Sequence, residues 1–136
     1  MALGKAADLL FKTSRRSFSL ASAHLWLTPP IRLEQMAIRQ DVRGSWSAYI
    51  TWAFLTDEMS NEILNDPPFL HVSDWNEGEN LWIIDAVALP GCMYRLAREV
   101  SRTVLRNHSS ASYLIRDTSG KVIGHKSLQL GKLRCA

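Results

Sequence analysis

Basic residues are missing from the middle of this chain. Between Ser45 and Tyr94 there is no lysine or arginine, while eight acidic residues fall there: Asp57, Glu58, Glu62, Asp66, Asp74, Glu77, Glu79 and Asp85. The basic surface behind the net charge of +3 must therefore come from elsewhere. Cysteine is also scarce. Cys92 and Cys135 sit in no metal-ligand spacing and are too few for a disulfide framework, which points to a reduced, cytoplasmic compartment. No apolar run approaches the roughly 20 residues of a membrane span, so none is expected. The N-terminus lacks the basic, apolar, small-residue order of a secretory signal, since its basic residues follow "ADLLF" instead of preceding it. Internal repeats and low-complexity tracts are absent.

What is present is an ordinary globular composition. The chain has 136 residues, 46% hydrophobic and 21% charged, and reads as one domain over residues 1–136, long enough to bury a core. "ALGKAADLLFK" predicts a helix with Leu3, Ala7, Leu10 and Phe11 on one face. "SFSLASAHLWL" predicts a second, stopping at Pro29-Pro30, because proline removes a donor and restricts its predecessor. "EQMAIRQD" and "SWSAYITWAF" predict two strands joined around Arg43-Gly44. "TDEMSNEIL" predicts a short helix capped by Thr56. Pro67-Pro68 and "SDWNEGEN" predict a loop. "LWIIDAVA" predicts a buried strand with Ile83, Asp85 and Val87 on one face. "CMYRLAREVSRTVLRN" predicts the longest helix, and "SASYLIRD" with "KVIGHKSL" a final hairpin across Thr118-Ser119-Gly120. That order implies an α+β (or α/β) domain built on a single mixed sheet with flanking helices.

Two features carry chemistry. Asp85 stands inside an apolar run, where an ionised carboxylate is costly unless paired. It either has a structural task, such as capping a helix or holding an arginine, or it works as a perturbed functional carboxylate, and residue type alone favours the first. Arg95, Arg98, Arg102 and Arg106 recur at helical spacing and form one stripe, in a tail from Arg95 onward that holds nine basic residues against Glu99 and Asp117. Such a stripe is a solvated helix face or the footprint of an anionic partner. No nucleic-acid-binding motif accompanies it, so nucleic acid is not the expected partner. Trp46, Trp52, Trp75 and Trp82 are expected to pack the sheet. Cys92, at a helix start, has no histidine placed to activate it.

A resemblance then covers nearly the whole chain. Leu3-Gly4 before an apolar helix, "PPI" at Pro29 to Ile31, "SAYITWAFLTDEMSNEIL", "SDWNEGENLWIIDAVALPG", "MYRLAREV" and "YLIRDTSGKV" follow in the order seen in the RTX toxin-activating lysine acyltransferases, the haemolysin-activating family, which this chain resembles as a divergent member. The resemblance implies a fold similar to the GCN5-type N-acetyltransferases. It implies transfer of a fatty acyl group from acyl-carrier protein, as donor substrate and with no bound cofactor, to lysines of a protein such as an RTX protoxin. Asp85 falls on the family's catalytic aspartate, which turns the reading of that residue toward function. The arginines Arg95, Arg98 and Arg102 become candidates for docking the acyl carrier. One position departs. The family's catalytic histidine, in a serine, two residues, histidine, arginine pattern, aligns with Arg16, and arginine does not release its proton near neutral pH. His24 is the nearest histidine, but on a continuous helix eight residues place it about 12 Å away and a quarter turn off, and it is expected at the core edge. His71 reads as a surface or capping residue, His108 as a cation after a helix C-terminus, and His125 as part of the last strand. The family usually continues with further helix used in some dimers, so a homodimer is an open expectation. The competing reading is a catalytically degenerate relative that binds an acyl carrier or another protein.

Overall fold

The longest apolar alternation, "WSAYITWAFL", lies second in a five-stranded sheet of order β1-β2-β3-β4-β5 and is buried along almost its whole length. The computed structural model describes residues 2–13, 20–65, 71–119 and 121–135. Its elements are α1 (Ala2–Phe11), α2 (Leu20–Leu33), β1 (Met36–Gln40), β2 (Trp46–Leu55), α3 (Asp57–Glu62), a 3-10 turn (Val72–Trp75), β3 (Asn80–Ala88), α4 (Met93–Arg102), β4 (Ser110–Arg116), β5 (Val122–Gln129) and α5 (Leu130–Cys135). β1, β2 and β3 run antiparallel in turn, β3 and β4 run parallel, and β4 and β5 are antiparallel. The sheet is therefore mixed and the domain α+β, as the element order predicts. The parallel pair requires a crossover, and α4 supplies it.

Local chemistry explains the turns. The β1–β2 hairpin closes where Asp41 Oδ1 accepts from the amides of Arg43 (2.8 Å) and Ser45 (3.0 Å), with Gly44 at a φ of +84°. Thr56 Oγ1 accepts from the Met59 amide at 3.2 Å and starts α3. Gly78 lies so close to β2 that a Cβ there would stand 2.0 Å from the backbone carbon of Leu55.

Three predicted boundaries are corrected. α2 runs through Pro29 and Pro30 to Leu33 instead of stopping before them. The prolines deprive the carbonyls of Leu25 and Trp26 of their helical donors, yet Trp26, Leu27, Pro29 and Pro30 are all buried, and that packing outweighs local propensity. The helix ends one turn later at Glu34, left-handed at a φ of +57°, as Gln35 N–H donates back to the Pro30 carbonyl at 2.9 Å. α4 ends at Arg102, so it is shorter than α2 and Arg106 lies beyond it. The third correction is α5 (Leu130–Cys135), a helix that no local pattern predicts. Two guanidinium groups hold it against the segment around the end of α4. Arg134 donates to the carbonyls of Ser101 (2.7 Å), Leu105 (2.7 Å) and His108, while the Arg102 guanidinium donates to the Arg134 carbonyl (3.0 and 2.7 Å). The Ser101 carbonyl in the last turn of α4, and those of Leu105 and His108 in the segment after it, are thus satisfied from α5.

The two faces of the sheet have separate cores. Trp26, Ala53, Leu55, Trp75, Trp82 and Ile84 form one under α2, continued by Leu9, Leu27 and Tyr49 beneath α1. Ile50, Trp52, Leu81, Leu96 and Val100 form the other beneath α4. All four tryptophans assigned to the sheet are buried.

Candidate functional site

A β-bulge decides where Asp85 points. In the β2–β3 ladder Thr51 opposes Asp85 and Trp52 opposes Ile83, which leaves Ile84 as the extra residue. Leu81 and Ile83 pack toward α4, whereas Trp82 and Ile84 pack toward α2, and after the bulge Val87 joins Tyr49 in the core beneath α1. The expected grouping of Ile83, Asp85 and Val87 on one face is thus broken. A period of two does not survive an inserted residue.

Asp85 is buried with partners. Its side chain is 1% exposed, and that of Arg116, at the end of β4, is 0% exposed. Arg116 Nε lies 3.6 Å from Asp85 Oδ1, the Tyr49 hydroxyl donates to Oδ2 at 3.3 Å, and the Ala86 amide donates to Oδ1 at 3.0 Å. Arg116 reaches further, donating from Nη2 to the Ile84 carbonyl at 3.0 Å, with its guanidinium carbon 4.0 Å above the Trp26 ring centroid. The parallel register joins Trp82 with Ser112 and Ile83 with Tyr113, and past it the Arg116 side chain bridges the two strands. One cation therefore meets the carboxylate, a carbonyl and a ring face at once.

Beside this pair lies an apolar cavity of about 380 Å³ between the sheet, α4 and α5. Its lining includes Asp85, Ala86 and Met93, toward the end of β3 and the start of α4, and Leu105, Leu130 and Leu133, beside the start of β4, where the Leu130 amide donates to the Ser109 carbonyl. α4 crosses from Met93 to Ser101 along its length, a rise of about 12 Å. The volume is within the range of small-molecule sites and the lining is mostly apolar; Asp85 borders the cavity, while its carboxylate is turned toward Tyr49 and Arg116 on the other face of the sheet. Met93 opens α4, preceded by Gly91 at a φ of +82°, and Cys92 makes no side-chain cap there. The first amides of α4 have no acceptor within the helix and so form a positive end where Met93 lines the cavity.

The other sequence-predicted residues lie apart. Arg16 falls outside the described residues. His24 is exposed on α2, not at the core edge, and its Nδ1 is 3.2 Å from the Thr28 hydroxyl. His71 caps the 3-10 turn with Asp74, as expected. His108 stacks on Phe54 and His125 on Trp82. Cys92 is half-buried, its Sγ 3.9 Å from the Pro90 carbonyl. Arg95 and Arg102 are exposed and Arg98 half-buried, so three of the four stripe arginines stay on α4, though the Arg102 guanidinium is held by α5. Among the described residues no cluster of histidine, cysteine and carboxylate is arranged to hold a metal ion, and no helix is long and apolar enough to cross a membrane. Sequence reasoning missed Arg116 and Tyr49 as partners of Asp85. The available signal was a single arginine ending the apolar strand "SASYLIR", complementary to a single aspartate in "LWIIDAVA".

The model of the RTX toxin acyltransferase family matches residues 1–128. The chain belongs to that family. The RTX-II toxin-activating lysine-acyltransferase ApxIIC of Actinobacillus pleuropneumoniae is 34% identical over 73 residues, 54% of this chain and 45% of that protein. The lysine-acyltransferase RtxC of Vibrio cholerae is 26% identical over 78 residues, 57% of this chain and 51% of its own length. The protein-lysine myristoyltransferase RtxC of Kingella kingae is 34% identical over 55 residues, 40% of this chain and 33% of that one. The matched part spans about half the length of the first two of these relatives.

Proposed function

We propose that this chain is a protein lysine acyltransferase, which moves a fatty acyl group from an acyl-carrier-protein thioester to a lysine of a protein substrate, in the cytoplasm. The observation that carries the reading is the apolar cavity along α4, bordered by the buried Asp85 and by Met93 at the start of that helix. Membership of the toxin acyltransferase family supports it. We also propose that the mixed sheet, with its parallel β3–β4 pair and crossover α4, is an arrangement of the GCN5-type N-acetyltransferase kind.

The chemistry follows from the groups present. A lysine amine is almost wholly protonated at neutral pH and must lose a proton to become a nucleophile. Its nitrogen attacks the thioester carbonyl carbon, the carbon–sulfur bond breaks, and the carrier thiolate leaves and takes up a proton. Asp85, paired with Arg116 and Tyr49 beside the cavity, is the carboxylate that draws in the ammonium and receives its proton through a water. Amides at the start of α4 face the developing negative charge on the thioester oxygen. The exposed Arg95 and half-buried Arg98 present positive charge to the acidic carrier, an attraction that weakens with salt.

Arg16, where the family carries a histidine, favours a second reading in which the fold binds an acyl carrier without turning over. A single assay separates the two. Purified protein is mixed with long-chain acyl-acyl-carrier protein and a lysine-containing toxin fragment, and both partners are followed by intact mass. A lysine-linked acyl adduct that disappears with Asp85→Asn is the expected result. An unchanged thioester, with carrier bound to a folded protein, would leave only the binding module.

A further inference from the structure

Among the described residues, the cavity has one wall outside the residues matched by the family: α5, Leu130–Cys135, follows the matched segment 1–128. Leu130 and Leu133 of that helix line the cavity, and Leu130, bonded to the Ser109 carbonyl ahead of β4, lies by the parallel register near the start of β3, several residues along the strand from Asp85. Leu130 is 2% exposed and packs with Leu96, Val100 and Leu105, so it is part of the fixed core, whereas Leu133 is only half-buried and has room to change. The helix is held in place by the Arg134 and Arg102 guanidinium groups, each donating to backbone carbonyls across the α4–α5 interface, and a wall fixed by several charge-assisted bonds does not yield to a growing chain.

We propose that α5 is the stop that sets acyl-chain length, with Leu133 as the specificity-determining side chain. The inference rests on the acyltransferase reading for its occupant, a linear saturated acyl chain. The thioester end of that chain lies beside Asp85 and its methyl end runs along α4 toward Leu133. Each methylene taken from water into the cavity strengthens binding about fourfold until the methyl end meets α5, and further methylenes then add nothing. A bulkier residue at the stop shortens the chain that fits, and a smaller one lengthens it.

The test uses the full chain and a series of saturated acyl N-acetylcysteamine thioesters of increasing length, with binding measured by calorimetry and transfer measured separately from acyl-carrier-protein donors of the same lengths. Leu133→Trp is expected to move the length at which affinity stops rising to shorter chains, with about fourfold lower affinity for each methylene that no longer fits, and Leu133→Ala to move it to longer ones. Because the two variants are predicted to act in opposite directions, poor folding of one does not remove the test. Length profiles in both variants that superimpose on the unsubstituted protein would overturn the role of α5, as would a failure of every thioester to bind. If no donor supports transfer, the acyltransferase reading fails by itself, and the binding series still decides whether α5 is the stop.

Discussion

Replacing Arg116 by methionine keeps a long side chain over Trp26 and removes the charge that faces Asp85. At an effective dielectric constant of about 20, unit charges 3.6 Å apart attract by about 5 kcal/mol. The net worth of the pair is smaller, because both ions have given up their hydration. Removing only one partner is a different matter. It leaves Asp85, whose side chain is 1% exposed, without its cation, and such changes cost about 3–5 kcal/mol. For a chain of this size that corresponds to a fall in Tm of about 10–20 °C. Urea unfolding of four proteins, the parent chain, Arg116→Met, Asp85→Asn and the double variant, closes a thermodynamic cycle. The double variant should be more stable than the sum of the single losses predicts, by about 1–3 kcal/mol, since it no longer holds an uncompensated charge. The slope of each transition should stay constant, which shows that the native fold persists. Additivity within about 0.5 kcal/mol would refute the reasoning and reduce Arg116 to a residue that packs on Trp26 and ties β4 to the Ile84 carbonyl.

Other expectations follow from the same structure. Arg16→His should raise lysine acyl transfer by about a hundredfold or more in the thioester assay if a general base is what the site lacks, and an unchanged rate with carrier binding retained would favour the binding module. Gly78→Ala should cost about 3 kcal/mol or prevent folding, because the added carbon meets the Leu55 backbone and not a movable side chain, and chemical denaturation reads the loss. Asp117, in the β4–β5 turn, is held below its ordinary pKa of 3.8 chiefly by the Ser119 hydroxyl, against an opposing desolvation, with the Lys121 and Ser119 amides and the Lys121 charge adding to the lowering. A depressed folded-state pKa means that the stabilisation is present above 3.8 and is lost as the pH falls through the lower folded value. The stability advantage over Asp117→Ala should therefore be full at neutral pH and vanish in strong acid, which parallel urea titrations across that range would reveal.

Most of the elements are legible in the sequence, because local patterns carry them. The Gly44 turn, the Thr56 cap, the apolar alternation of β2 and the final hairpin each depend on residues close together in the chain. The same applies to Asp85 as a residue that demanded a partner, since a charge in an apolar strand is a local anomaly. The partner itself was not legible. Arg116 lies 31 positions downstream and meets Asp85 only because α4 returns the chain to a parallel strand. Tertiary packing also carried α2 through two prolines, since the apolar surface buried around Trp26 and Leu27 outweighs two missing helical donors. It flipped Asp85 away from Ile83 through a single inserted residue that no periodicity shows. And it created α5, a six-residue helix with a glycine in it, too short to form alone and held because Arg134 donates to the Ser101 carbonyl of α4 and to those of Leu105 and His108 just after it. Short-range chemistry writes itself into neighbouring residues. A site assembled across a sheet, with a cavity closed by two helices, depends on distances that only the folded chain defines.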